Sequence, residues 1–144
     1  MTPRDPDFVA KVRESFSRQP FMAHLGARLT LVEAGHVVVE LPCVPHVAQQ
    51  HGHVHGGAVG AIADSAGGYA GFTLFPAGST VLTVEYKVNF LAPSRGDFLR
   101  AIGRVVRSGR TLTVSDVQVM AVRDGVEHLC ATATQTLICL AGQD

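Results

Sequence analysis

The sequence predicts an α+β fold in which one antiparallel sheet wraps a single long, glycine-rich helix. Three observations predict it. The periodicities run helix, two strands, one long helix, then four strands. The long helical stretch holds six glycines between Gly56 and Gly71, as a helix pressed against a sheet requires. Leu82, Val84, Tyr86, Val88 and Phe90 then alternate with Thr83, Glu85, Lys87 and Asn89, the period of two of a strand.

The elements follow in order. Asp5 or Asp7 stands where it can cap a first helix to about Phe16, with Phe8, Val9, Val12 and Phe16 at helical spacing. Gln19 to Leu25 reads as a further helical turn before Gly26, closing an N-terminal helical segment over residues 1–25. Ala27 to Glu33 and His36 to Leu41 read as strands around a Glu-Ala-Gly turn. Pro42 and Pro45 bound an irregular, His-rich loop to His55. The central helix is expected over 56–75. Phe98 to Arg107 and Leu112 to Val122 are strands joined at Ser108-Gly109-Arg110. Asp124-Gly125 turns the chain into a last strand, Glu127 to Cys139.

The 144 residues suit one domain with a real core, and 47% of them are apolar. Twelve basic residues balance twelve acidic ones, so no overall field calls for nucleic acid or an anionic membrane as partner. An anionic ligand has to be held by local cations. Gly56 to Phe75 is of membrane-spanning length, but Asp64 sits near its middle, at a cost in lipid of about 2.5–3.5 kcal/mol. A helix inside a soluble protein is the expectation. Met1 to Arg18 has scattered charges and no apolar run, so no secretory signal is expected there. Cys43, Cys130 and Cys139 lack metal or redox spacing and read as reduced thiols of a cytoplasmic protein.

The informative stretch is Gln49-Gln50-His51-Gly52-His53-Val54-His55-Gly56-Gly57, followed by Asp64. His55-Gly56-Gly57 lies where the loop enters the helix. Backbone N–H groups there lack intrahelical partners, and glycine lets a ligand oxygen come close, which is what an oxyanion needs. Two turns on, Asp64 is an isolated carboxylate among Ala61, Ile62, Ala63, Ala66 and Gly67, and it needs a partner or a purpose.

An amide side chain, then Gly, then His-Gly-Gly, then Asp nine positions after the His: this pattern resembles the hotdog-fold acyl-CoA thioesterases of the phenylacetate (PaaI) type. The Ser79 to Pro93 strand and the Ser108-Gly109-Arg110-Thr111 turn match as well, so the resemblance covers most of the chain. It implies a hotdog fold and hydrolysis of an acyl- or aryl-CoA to free acid and CoA, with no cofactor or metal. Asp64 would activate water or itself attack the thioester carbonyl. The N–H of Gly56, with that of Gly57, would hold the carbonyl oxygen beside the amide of Gln49, and His55 would orient that amide or assist the leaving thiolate. Arg107, Ser108, Gly109 and Arg110 would lie near the CoA phosphates, with Arg95 a weaker candidate. The site would form across the interface of a homodimer, alone or within a dimer of dimers.

Two departures stand out. The amide position is usually Asn; here it is Gln49 with Gln50 beside it, and either can face the thioester. Thr83 falls where relatives carry a hydroxyl that helps hold the water. Strand alternation puts it opposite Leu82 and Val84, so that role needs a β-bulge or strand end to re-aim it.

Other readings are weaker. His46, His51, His53 and His55 suggest a metal, but no acidic or Cys cluster completes a ligand set. Cys43 as a nucleophile rests on no recognised spacing. Hydratases of the same fold carry a His where this chain has Tyr69. A non-catalytic acyl-CoA sensor has no need of Asp64. Phe21, Met22, Leu25, Phe72 and Phe75 are candidates for an acyl tunnel.

Overall fold

The computed structural model describes residues 1–142. Two short helices, α1 (Phe8–Ser17) and α2 (Pro20–Leu25), precede strands β1 (Arg28–Glu33) and β2 (His36–Pro42). A loop with one 3₁₀ turn, Pro45–Val47, leads to the central helix α3 (Gly56–Phe72). Strands β3 (Ser79–Phe90), β4 (Phe98–Ser108), β5 (Leu112–Arg123) and β6 (Val126–Ala141) follow. All six strands form one antiparallel sheet in the order β1-β2-β4-β5-β6-β3, so β1 and β3 are its edges. This is the hotdog arrangement: α3 lies along the sheet and packs on β2 through β6.

The core is built by period-two strands facing an apolar helix. Val37, Val39 and Leu41 on β2, Leu99 and Ala101 on β4, Val117 and Val119 on β5 and Leu137 on β6 are all buried. They meet Val59, Ile62, Ala63, Ala66 and Ala70 of α3, also buried. Alternation on the strands and small residues on the helix let the two surfaces close on each other.

Glycine makes that closure tight. A Cβ on Gly103 of β4 would run into the backbone carbonyl of Ala66 in α3, and one on Gly71 into the Leu137 side chain. The helical cost of each α3 glycine, about 0.8–1.0 kcal/mol against Ala, is offset by the burial that close approach permits.

Three expectations are corrected. The central helix stops at Phe72 rather than Phe75. Thr73 Oγ1 donates back to the Ala70 carbonyl (2.6 Å), and Leu74 and Phe75 close three-residue turns onto Gly71 and Phe72 (3.0 and 3.1 Å) ahead of Pro76. Asp7 occupies the cap position of α1, yet neither it nor Asp5 caps the helix through its side chain. Buried Asp5 instead accepts the Asp7 N–H (2.9 Å) and pairs with Lys11 (3.0 Å), whose hydrogen bond holds the Asp5 carboxyl below its ordinary range.

The third concerns β3. Thr83 pairs with Leu137 and Glu85 with Thr136, leaving Val84 as the extra residue of a β-bulge. Each side of the bulge alternates, but in opposite phase. Tyr86 and Phe90 point to α3, their rings near Gly60 and Gly56, whereas Leu82 and Val84 are exposed and Thr83 turns inward.

Gly103→Ala tests the helix–sheet contact, because the obstacle is backbone and has no rotamer to relieve it. The substitution is expected to lower folding stability by about 1–3 kcal/mol, read as a lower urea midpoint at unchanged slope. An unchanged midpoint would mean that α3 does not rest on β4 this closely.

Candidate active site

Asp64 projects from the middle of α3 toward β3 and β6. Its Oδ1 accepts from Thr83 Oγ1 (2.6 Å) and from Gln135 Nε2 (3.1 Å). The Gln135 amide also lies 3.3 Å from the Asp64 carbonyl oxygen and 3.5 Å from Thr83 Oγ1. Among the described residues no protein donor reaches Oδ2, which is not buried. The carboxylate borders a cleft of about 340 Å³ that runs along Thr80 to Thr83 on the edge strand. The bulge at Val84 is what brings the Thr83 hydroxyl to Asp64.

Gln135 is the participant that sequence reading missed. It is fully buried on β6, in the inward row Ala131, Ala133, Gln135 and Leu137. That row is its signal: a polar side chain in an apolar face must find a partner. Gly67 makes room for it, since a Cβ there would overlap Gln135 Oε1.

The loop and helix start form a second group. His55 is the N-cap of α3, and its Nδ1 accepts the Gly57 N–H at 2.8 Å. The Gly57 N–H is thus already engaged, and His55 holds the helix start with no hydrogen bond to Gln49, which leaves its expected alternative of assisting the leaving thiolate. Gly56 N–H has no protein acceptor among the described residues. Gln49 Oε1 accepts from the His51 and His53 N–H groups (2.5 and 3.3 Å), which fixes the loop and leaves the amide NH₂ free to donate. Gln50 is exposed, so Gln49 is the better-held amide. Both border a cavity of about 490 Å³ together with Arg95 and Arg123.

These two groups do not meet within one chain. Gly56 and Asp64 are eight residues apart on one helix, about 12 Å at 1.5 Å per residue. Arg107, Ser108 and Arg110 are exposed on the β4–β5 turn, beside a third cavity of about 560 Å³ that Arg4 also lines. Cross-strand pairing joins Ser108, Thr113, Leu137 and Thr83 in one row. Three steps of 4.7–4.9 Å place the turn about 14 Å from Thr83.

The remaining candidates resolve as follows. Tyr69, which stands where the resemblance placed the His of hydratases, has its hydroxyl bonded to Gln19 Nε2 (2.6 Å) and Ser15 Oγ (3.2 Å). Of the five proposed tunnel residues, none lines the Asp64 cleft; its walls include Ser15, Gln19 and Tyr69. Phe72 and Phe75 pack on each other in the core, and Phe21 is exposed. Burial pushes the Cys43 and Cys130 thiols up, which disfavours the nucleophilic thiolate, and all three cysteines are free. Among the described residues no group of three His, Cys, Asp or Glu is placed to hold a metal, and no helix is long and apolar enough to cross a membrane.

Comparison with known proteins fits this geometry. The family model of the thioesterase superfamily matches residues 51–128, more than half the chain. A crystal structure of a thioesterase family protein from Silicibacter pomeroyi superposes with a TM-score of 0.92 at 47% identity, covering 94% of this chain and 99% of that one. The proofreading thioesterase EntH of Klebsiella pneumoniae is 32% identical over 65% of this chain and 69% of its own length. The PaaI protein from the phenylacetic acid degradation operon of E. coli shares the fold, with a TM-score of 0.82 at 20% identity over 97% of this chain and 98% of that one. The chain therefore belongs to the thioesterase superfamily and is a thioester hydrolase of the hotdog fold.

Proposed function

We propose that this hydrolase cleaves acyl- or aryl-CoA thioesters, with Asp64 as the reacting carboxylate and the Gly56 N–H of a second subunit as oxyanion donor. The observation that carries the reading is the Asp64 carboxylate itself, anchored by Thr83 and Gln135 on one oxygen and open to a cleft on the other. A carboxylate so placed takes a proton from water as the water oxygen adds to the thioester carbon, or adds to that carbon itself. The carbonyl oxygen becomes an oxyanion, held by the Gly56 N–H with the Gln49 amide as second donor. When the tetrahedral adduct collapses, the C–S bond breaks and CoA leaves as a thiolate that takes up the proton Asp64 drew from water. Where Asp64 itself adds, water then hydrolyses the mixed anhydride to the free acid, restores the carboxylate and supplies that proton.

The separation of about 12 Å between the half-sites supports a two-subunit arrangement. A carbonyl carbon and its own oxygen are neighbours, so one helix cannot serve both. The β3 edge offers a place for the partner: Leu82, Val84, Phe90 and Leu91 are each more than half exposed on or just beyond a strand whose outer edge is unpaired. Antiparallel pairing of this edge with a second copy would cover them and complete a homodimer, alone or within a dimer of dimers.

Arg107 and Arg110 suit the CoA phosphates, with the thioester reaching Asp64 along a pantetheine arm. Among the described residues no carboxylate lines their cavity, and Arg4 adds a third cation. Three free thiols accord with a cytoplasmic location.

Asp64→Asn is expected to lower kcat by about 10²–10⁴-fold, the usual contribution of a general base, while acyl-CoA still binds. Rapid-quench assays should then show bound, unhydrolysed ester; wild-type turnover would remove Asp64 from the chemistry. Arg110→Ala should raise KM for CoA esters about 2- to 5-fold, the scale of one solvent-exposed charge contact, with kcat nearly intact. A pantetheine ester without the nucleotide should be unaffected, and equal effects on both substrates would place Arg110 away from the phosphates.

A further inference from the structure

The Asp64 carboxylate is asymmetric in its surroundings. Both donors, Thr83 Oγ1 and Gln135 Nε2, converge on Oδ1, while Oδ2 has no protein partner among the described residues and keeps its access to the cleft. We propose that Gln135 is the positioning residue of the active site, pinning Oδ1 so that Oδ2 is the oxygen that reacts. The proposal rests on the reading of Asp64 given above and deepens it.

Three features of Gln135 carry this. First, its amide has only one workable orientation. Asp64 Oδ1, the Asp64 carbonyl and Thr83 Oγ1 all lie 3.1–3.5 Å from Nε2. Turning the amide over would set Oε1 against the two Asp64 oxygens, so the NH₂ end must face Asp64. Second, that orientation is held at a cost. Oε1 is left buried with no hydrogen-bond partner among the described residues, in a residue with no exposed surface. A fold that needed only to fill this space would do better with an apolar side chain. Third, the surroundings are cut to fit it. Gly67, one turn beyond Asp64, is the position where any Cβ would overlap Oε1. The same helix thus carries the carboxylate and the gap that admits its donor.

The consequence is geometric. An aspartate on a helix can rotate about its terminal torsion and exchange its two oxygens. Two donors on one oxygen stop that rotation and fix the direction of the other. Preorganisation of this kind lowers the barrier to reaction without strengthening substrate binding. Loss of Gln135 should therefore appear in kcat and leave KM unchanged.

Gln135→Met removes the donor while keeping length and burial. Its kcat is expected to fall about 10- to 100-fold, the scale of one lost hydrogen bond to a charged group, with KM within twofold of wild type and an unchanged melting temperature. The decisive comparison is the same substitution in an Asp64→Asn background, followed in single turnover. A residue acting through Asp64 costs nothing further there, whereas a merely structural residue costs the same factor in both backgrounds. Equal losses in the two backgrounds, or wild-type kcat for the single variant, would overturn the proposal. Should Gln135→Met fold poorly, Gln135→Asn carries the test, since it draws the amide back by one methylene and remains polar. An Asp64→Asn enzyme with full turnover would instead overturn the underlying assignment of Asp64, and this proposal with it.

Discussion

A carboxylate on a buried helix must have hydrogen-bond donors within reach, and Asp64 reaches its donors only because the backbone of α3 lies directly on the sheet. Gly103 of β4 takes the Ala66 carbonyl at a distance no side chain allows, and Gly67 admits the Gln135 amide from β6. With a methyl group at either position the helix would have to ride higher, and Oδ1 would lose contact with Thr83 and Gln135. The glycines that weaken α3 as an isolated helix are thus the ones that let it carry a site.

The edge strand answers a second need. Thr83 has to face inward, and so do Tyr86 and Phe90 of the row that alternates with it; the bulge at Val84 satisfies both. Downstream of it, Tyr86 and Phe90 set their rings against the glycine stripe of α3. Upstream, Leu82 is left outside on an unpaired edge, where apolar surface calls for a partner. The feature that aims the hydroxyl at Asp64 also exposes surface suited to the second subunit that the proposed oxyanion half-site requires.

Much of this was legible in the sequence, and the rest was hidden for definable reasons. The order of elements, the central helix start at Gly56 and the Asp124-Gly125 turn follow from local periodicity and turn chemistry, which a single chain records. Asp64 stood out because nothing near it in sequence satisfies a carboxylate. The helix end was overestimated because Leu74 and Phe75 continue an apolar pattern while the backbone from Thr73 tightens toward Pro76. The inward turn of Thr83 depends on a one-residue offset between β3 and β6, and no alternation within β3 alone reveals that offset. Gln135 lies 71 residues from Asp64, and its clue was a single polar position in an apolar row. The engagement of the Gly57 N–H by His55 follows from a rotamer, below anything spacing can show.

The central claim is that one chain contributes the carboxylate and its partner the oxyanion donor. Mixed dimers test it directly. Gly56→Pro deletes the N–H at the first helical position, where proline is well tolerated, and Asp64→Asn deletes the base. Each variant alone should be nearly inactive. Dissociated and reassociated together, they should form mixed dimers in which one site has an intact base from one chain and an intact donor from the other. Random pairing then restores up to about a quarter of wild-type activity. Activity no greater than the sum of the two separate variants, in a mixture shown to contain mixed dimers, would contradict a site shared between subunits.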